Sequence, residues 1–372
     1  MKRKVMGCIL IIILLTVFSQ NVFAETASTE ELDKSIQNEI LSEIDSTTND
    51  LLNQIGIDEI NYEDLINLSP KSIVKLILNI LSGQIAKPFK TISYVLIILI
   101  IFAVYSCFIN KKDHSQSIQE MLFSMIIIIT LTVPISGAIN CAMAAINLTT
   151  KFMLGYVPAF TGIVAMSGAP ATSFVYSAIV LSIAEILEAF CSKYFVGIAF
   201  IILSINIISA INTNFDSEKI TSLLKKIFVI CLSLFATIFV GMLTLKGMLA
   251  SSADGVAVKG IKLMAGNVLP IIGSAIGDAY TSILGSLSLV KNTFGVFGIF
   301  VILIINLPVI TELFLWYLIL NMTSLFSSII GVASSQKIID NFSSFVSMIN
   351  ILTIFSAFLF IISTGIILMM KG

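Results

Sequence analysis

The sequence predicts an all-α, polytopic helical membrane protein, and three observations carry that reading. Of 372 residues, 57% are hydrophobic and only 12% are charged, whereas a soluble domain carries about 25% charge to cover its core. Mean hydropathy is +1.03. The apolar residues also come in charge-free blocks: Thr91 to Ile109, Met121 to Ile139, Tyr194 to Ile211, Ile227 to Leu245, Phe294 to Ile310 and Phe345 to Met370. About 20 such residues at 1.5 Å rise cross a hydrocarbon layer of about 30 Å. A membrane β-barrel is excluded, because its strands alternate over about ten residues and these runs are continuous.

Composition excludes more. There are 21 basic residues against 22 acidic ones, and Arg3 is the only arginine, so the clustered positive charge of a nucleic-acid binder is missing. His114 is the only histidine, which leaves almost nothing for histidine metal sites or Ser/His relays. No G-x-x-x-x-G-K-[ST] loop occurs, so an ATP-driven step must use a partner's nucleotide site. No cofactor is expected.

At the start, Lys2, Arg3 and Lys4 precede the apolar run Val5 to Phe18, and Val22-Phe23-Ala24 puts small residues where a signal peptidase reads. Residues 1–24 are therefore expected to be a secretory signal peptide, cleaved after Ala24; the other reading is an uncleaved first anchor. Residues 25–70 hold twelve acids and one base, Lys34. An acidic segment behind a signal is readily exported, so 25–90 is expected outside the cytoplasm. Within it, Ser28-Thr29-Glu30-Glu31 forms a capping box, followed by Ile36, Ile40 and Ile44 at i+4 spacing and by Gly56 as a stop. Ser69 and Pro70 start a second helix that Gly83 and Pro88 end. Its Lys71, Lys75, Lys87 and Lys90, set among apolar residues, read as a helix lying at the lipid surface. Such a pair of charged amphipathic helices is either a solvated face with a packing stripe or a docking site for an extracytoplasmic partner.

Residues 91–372 form the transmembrane domain. Ten spans are expected: 91–109, 121–140, 152–168, 171–190, 194–211, 227–249, 263–290, 294–311, 313–333 and 345–370. With residue 25 outside, Lys111, Lys112, the Lys219, Lys225 and Lys226 loop, Lys291 and Lys337 all become cytoplasmic, as the positive-inside bias prefers. Gly155, Pro158, Gly162 and Gly168 interrupt the third span, and Gly266, Pro270, Gly273 and Gly277 the seventh. If both are re-entrant the count falls to eight, since broken backbone at membrane depth must be sheltered by protein or line a water-filled cavity. The two interrupted stretches, KFMLGYVPAFTG from Lys151 and KLMAGNVLPIIG from Lys262, share five of twelve positions. They mark either a chance match of apolar sequence or an internal repeat dividing the domain at about 121–226 and 227–340. Paired interrupted segments point to a transport site.

Ionisable groups inside spans are functional candidates by default. Glu185 and Glu188 share one helical face, Asp278 follows Gly277 with Ser274, Tyr280, Thr281 and Ser282 around it, and Glu312 stands between two spans. The bland reading takes Glu188 and Glu312 to the interface, which leaves Asp278 and Glu185 as transport-path or structural residues. No catalytic residue is expected. Gly277-Asp278 resembles the aspartyl intramembrane protease motif, but Ala275 replaces its first glycine and no second membrane aspartate completes the pair. Cys107, Cys141, Cys191 and Cys231 lack metal spacing and read as small buried apolar residues.

Asp254-Gly255-Val256, Lys259, Gly266, Pro270, Gly273, Asp278-Ala279, Lys291-Asn292, Gly295, Gly298 and Pro308, together with Gly155, Pro158 and Ser167-Gly168, resemble the stage III sporulation protein AE family. The resemblance covers nearly the whole chain. It implies a multi-pass protein of the mother-cell membrane around the forespore, within a channel or feeding complex that joins the two cells. The implied partners are the other stage III sporulation A proteins, including a separate ATPase, and a forespore membrane protein across the intermembrane space. A stand-alone secondary transporter using an intramembrane carboxylate and a purely structural scaffold are the alternatives. The family carries no catalytic residues over to this chain.

Overall fold

The computed structural model of the chain describes residues 37–38, 40–57, 60, 65, 69–107, 115–211, 218–268 and 273–370. The signal peptide and the capping box at Ser28 lie outside the described residues. The chain divides into two compact units, Met1–Asp45 and Ser46–Gly372. In the first, Glu43 N donates to Ile40 O and Ile44 N to Leu41 O, both at 3.2 Å, closing one turn.

Apart from short turns, the described residues of the second unit form helices: α1 Ser46–Ile55, α2 Pro70–Gln84, α3 Ala86–Cys107, α4 Ser115–Met166, α5 Pro170–Ala189, a π-helical turn Phe190–Phe195, α6 Val196–Ile211, α7 Glu218–Val268, α8 Gly273–Ile330 and α9 Ala333–Met369. Two helix boundaries follow the sequence chemistry closely. Gly56 stops α1 with φ +88°, a left-handed conformation in which its N–H reaches Asn53 O and that of Ile57 reaches Leu52 O. Ser69 caps α2 by accepting from Lys71 N at 3.3 Å, with Pro70 in the first turn where its missing N–H costs nothing.

Six helices among the described residues are long and apolar enough to cross a membrane: Pro70–Ser106, Gln119–Met166, Pro170–Ala210, Lys219–Gly260, Tyr280–Ile330 and Ala333–Met369. Six long helices replace the ten expected spans. The expected cuts fell at charges and at Gly or Pro, and the helices continue through those at 141–151, 191–193, 250–262, 291–293 and Glu312; the described helices end instead at Cys107, Met166, Ile211, Val268 and Ile330. Pro134 and Pro158 lie inside α4 and Pro308 inside α8; each removes one ladder bond, which a packed neighbour or side chain can offset. Gly83 and Pro88 likewise fail to separate α2 from α3. Ile85 N still donates to Leu81 O and Phe89 N to Ile85 O, both at 3.1 Å, and α2 continues the span as one rod instead of lying apart from it.

Named contacts fix how the helices stand beside one another. Helices α8 and α9 are an antiparallel hairpin around Gly331, φ +85°, with Val332 N on Ser327 O and Gly331 N on Ser328 O. Asn321 Nδ2 donates to Ser343 Oγ near this hairpin end, and Lys291 Nζ to Met370 O at the other. Helices α4 and α5 turn at Gly168, φ +92°, and this corner lies at the end that holds Lys291. Lys291 and residue 370 were expected on opposite membrane faces. Their 3.0 Å hydrogen bond puts them at one end, a direct consequence of merging the spans between them.

Candidate functional site

At the corner end, α5 begins with Ala169 in the capping position, and no side chain of that residue can accept from the first turn. The missing acceptor comes from another helix. Asp254 on α7, 3% exposed, accepts from Ala171 N at 2.9 Å through Oδ1 and from Thr172 N at 2.8 Å and Thr172 Oγ1 at 2.7 Å through Oδ2. A carboxylate at a helix N-terminus is stabilised by the exposed N–H groups and the helix dipole, and here every contact is charge-assisted. Burial of the charge is offset by saturation of both oxygens. The corner itself is closely packed: a Cβ at Gly168 would stand 3.1 Å from Leu284 Cδ2 and 3.6 Å from Val258 Cγ2. Side chains of α7 and α8 therefore both close on the α4–α5 turn.

About three turns along α4 from Gly168, Tyr156 is fully buried, donates from its hydroxyl to Phe294 O at 3.0 Å and seats its ring against Gly298, where a Cβ would come within 2.5 Å of Cζ. Phe152 and Phe160 stack on its two sides with centroids 5.2 Å away. Leu368 fills the corresponding notch at Gly295. The residues Asp254, Lys291, Gly295 and Gly298 thus have physical roles as cap, hydrogen-bond donor and two seats for large side chains.

A second polar zone crosses the bundle at mid-height. Asn147 Nδ2 on α4 donates to Glu188 Oε1 on α5 at 3.1 Å. The π-turn follows directly, with Phe190 beside Phe235 on α7 and Phe235 beside Phe355 on α9. Phe195 meets Phe228 edge-on at 5.1 Å, which brings Lys225 and Lys226 to within about a turn of the height of Lys193. Lys87 and Glu312 are the charged neighbours of Cys141 on the facing side. Single π-turns within α-helices recur at functional sites.

The expected site residues are distributed unevenly over this frame. Gly155, Pro158 and Gly162 lie within the unbroken α4; Pro158 and Gly162 face outward and Gly155 is half-buried. Glu185 is exposed, and it is Glu188, expected at the interface, that turns toward the bundle and finds Asn147. Gly266 lies in α7, Gly273 opens α8, and Gly277 and Asp278 fall in its first two turns; their immediate surroundings, and Pro270 itself, lie outside the described residues. Of the two similar stretches, the first lies inside α4, and the second includes residues 269–272, which lie outside the described residues. Cys191 is buried as expected, whereas Cys141 and Cys231 are exposed free thiols. Sequence reasoning gave Asp254 no role and passed over Asn147 and Asn306. Two signals for Asp254 were present: a helix start, Ala169-Pro170, without a local cap, and a single carboxylate within a 51-residue helix after its first residue.

Fold and site together define a polytopic, membrane-type helical bundle tied by buried polar side chains. The family model of stage III sporulation protein AE (spore_III_AE) matches residues 57–371, and the chain belongs to that family. Among known proteins, Stage III sporulation protein AE of Bacillus subtilis (strain 168) is 23% identical over 292 residues, which cover 77% of this chain and 72% of that protein. No solved structure matches.

Proposed function

We propose that the chain is a membrane subunit of the sporulation channel or feeding complex, acting as a permease-like component or assembly platform and not as an enzyme. The observation that carries this reading is the height of the bundle. At 1.5 Å per residue the 37 residues of α9 measure about 55 Å, against about 30 Å of hydrocarbon. Tilt up to about 40° leaves about 42 Å along the membrane normal. The charge-free stretches 313–330 and 292–311 of α8 are each about one hydrocarbon layer long, and Glu312 divides them.

Both halves expose large apolar side chains: Val133, Met322 and Ile329 toward the hairpin end, Phe174, Leu249 and Val256 toward the corner end. One bilayer covers one such layer. The remaining apolar surface calls for protein neighbours, which favours a complex subunit over a stand-alone transporter. On this reading the setting is the mother-cell membrane around the forespore, with the N-terminal segment in the intermembrane space. Partners on this reading are the other stage III sporulation A proteins, a separate ATPase among them, and a forespore membrane protein.

The tagged full chain, extracted from sporulating cells in mild detergent, is expected to migrate with partner proteins at a mass well above its own. Recovery as a lone monomer that moves solute in liposomes would overturn the proposal in favour of the transporter. Asp278 keeps its proposed place on a transport path. Asp278→Asn is expected to stop forespore development at normal protein level, and unaltered sporulation removes that role.

A further inference from the structure

Helices α4, α8 and α9 pack on one another, and near mid-height they enclose neutral polar side chains. Thr149, Thr150, Asn306 and Ser356 are each 0% exposed. Their heights agree: Asn306 touches Thr149 on α4, and the α8–α9 neighbours Asn321 with Ser343 and Gly295 with Leu368 bracket Asn306 opposite Ser356 to within a turn. Both amide protons of Asn306 are committed, to Thr149 Oγ1 and to Ile302 O, each at 2.8 Å. The carboxamide is therefore oriented, and Oδ1 points elsewhere. That oxygen, Thr150 Oγ1 and Ser356 Oγ make no hydrogen bond within the described protein.

An unsatisfied buried polar atom costs about 1–3 kcal/mol, and lipid around a bundle supplies no partner. The chemistry of the three atoms selects what can satisfy them. A carboxamide oxygen only accepts, whereas a hydroxyl both donates and accepts. No carboxylate belongs to the set, so a divalent cation, which needs charged oxygens, is a poor match. Water fits: it donates to Asn306 Oδ1 and to one hydroxyl while accepting from the other, within the 2–4 partners usual for buried water.

We infer that the α4–α8–α9 core binds an ordered water on Asn306 Oδ1, Thr150 Oγ1 and Ser356 Oγ, a hydrated station at about the height of the charged zone. Trp316 Nε1, a buried donor, and Asn350 Oδ1, a buried acceptor, are likewise without a protein partner nearer the hairpin end and extend the same polar seam.

The sign of a stability change tests this in the full chain in detergent. Thr150→Val and Ser356→Ala are made singly and together, with Thr149→Val, which loses a protein hydrogen bond, as the positive control. Each single variant is expected to lower the melting midpoint by about 2 °C. The double variant should lose less than the sum, because both groups act through one bridging molecule. Midpoints that hold or rise mean the oxygens are dry, and fully additive losses mean each hydroxyl has turned to a carbonyl of its own helix; either result overturns the inference. On the unvaried protein, radiolytic hydroxyl-radical labelling should oxidise Met153, 0% exposed and one turn from Thr150. Met153 protected like dry core would also overturn it.

Discussion

The corner end and the mid-height zone treat charge in opposite ways. At the corner, Asp254 is 3% exposed and spends both oxygens on three donors, and Lys291, 5% exposed, reaches a main-chain carbonyl. At mid-height, Glu185, Lys87, Lys90, Lys193 and Lys226 are exposed, and Glu188 and Glu312 are half-buried. A buried charge is tolerated only when saturated, while an exposed one on an otherwise apolar surface needs water, headgroups or a partner's side chain. The corner is therefore a structural lock, and the mid-height ring is the part that faces outward.

Three substitutions would break or sharpen that contrast. The largest effect is expected from Asp254→Ala, which strands two N–H groups and a hydroxyl in the corner: about 3 kcal/mol of stability is lost, read as a lower melting midpoint and reduced membrane accumulation. A midpoint within 1 °C of the parent, well under the effect expected of that loss, would show that the corner is not a lock. Gly298→Ala comes next, at about 1–3 kcal/mol, because the new methyl meets the Tyr156 ring. Tyr156→Leu in the same chain should recover part of the loss, and no recovery would place the strain elsewhere. Glu188→Gln is expected to have the smallest effect on stability, well under 1 kcal/mol, since the amide oxygen can still accept from Asn147. Its effect should appear instead in sporulation efficiency or partner recovery; a stable, fully competent Glu188→Gln protein would strip the mid-height carboxylate of a charge-dependent role.

Much of the local structure was legible in the sequence. Ser69-Pro70 opened a helix and Gly56 closed one because their chemistry acts within a few residues. The apolar runs did form membrane-type helices. The number of helices was not legible, since the meaning of a mid-run charge depends on a distant residue: Glu188 leaves its helix intact by meeting Asn147, and Lys291 by meeting Met370. The same holds for the glycines. Gly298 makes room for Tyr156, 142 positions earlier in the chain, and local sequence cannot distinguish such a seat from a break. Asp254 caps a helix that starts 84 residues upstream, so its role lay in a pairing that periodicity does not encode.

The six-residue π-turn at Phe190–Phe195 has a further consequence. Its i→i+5 bonding admits more residues per revolution than the helices on either side, so it sets the angular phase between them. Upstream, Glu188 is aimed at α4; downstream, Phe200 and Asn206 are aimed at α9, where their ring and carbonyl meet Phe345 and Asn341. Removing one residue there would let the turn close as ordinary α-helix with the downstream phase nearly kept, whereas the same deletion inside α6 just before Phe200 would swing every later side chain by about 100° and carry both contacts off their targets.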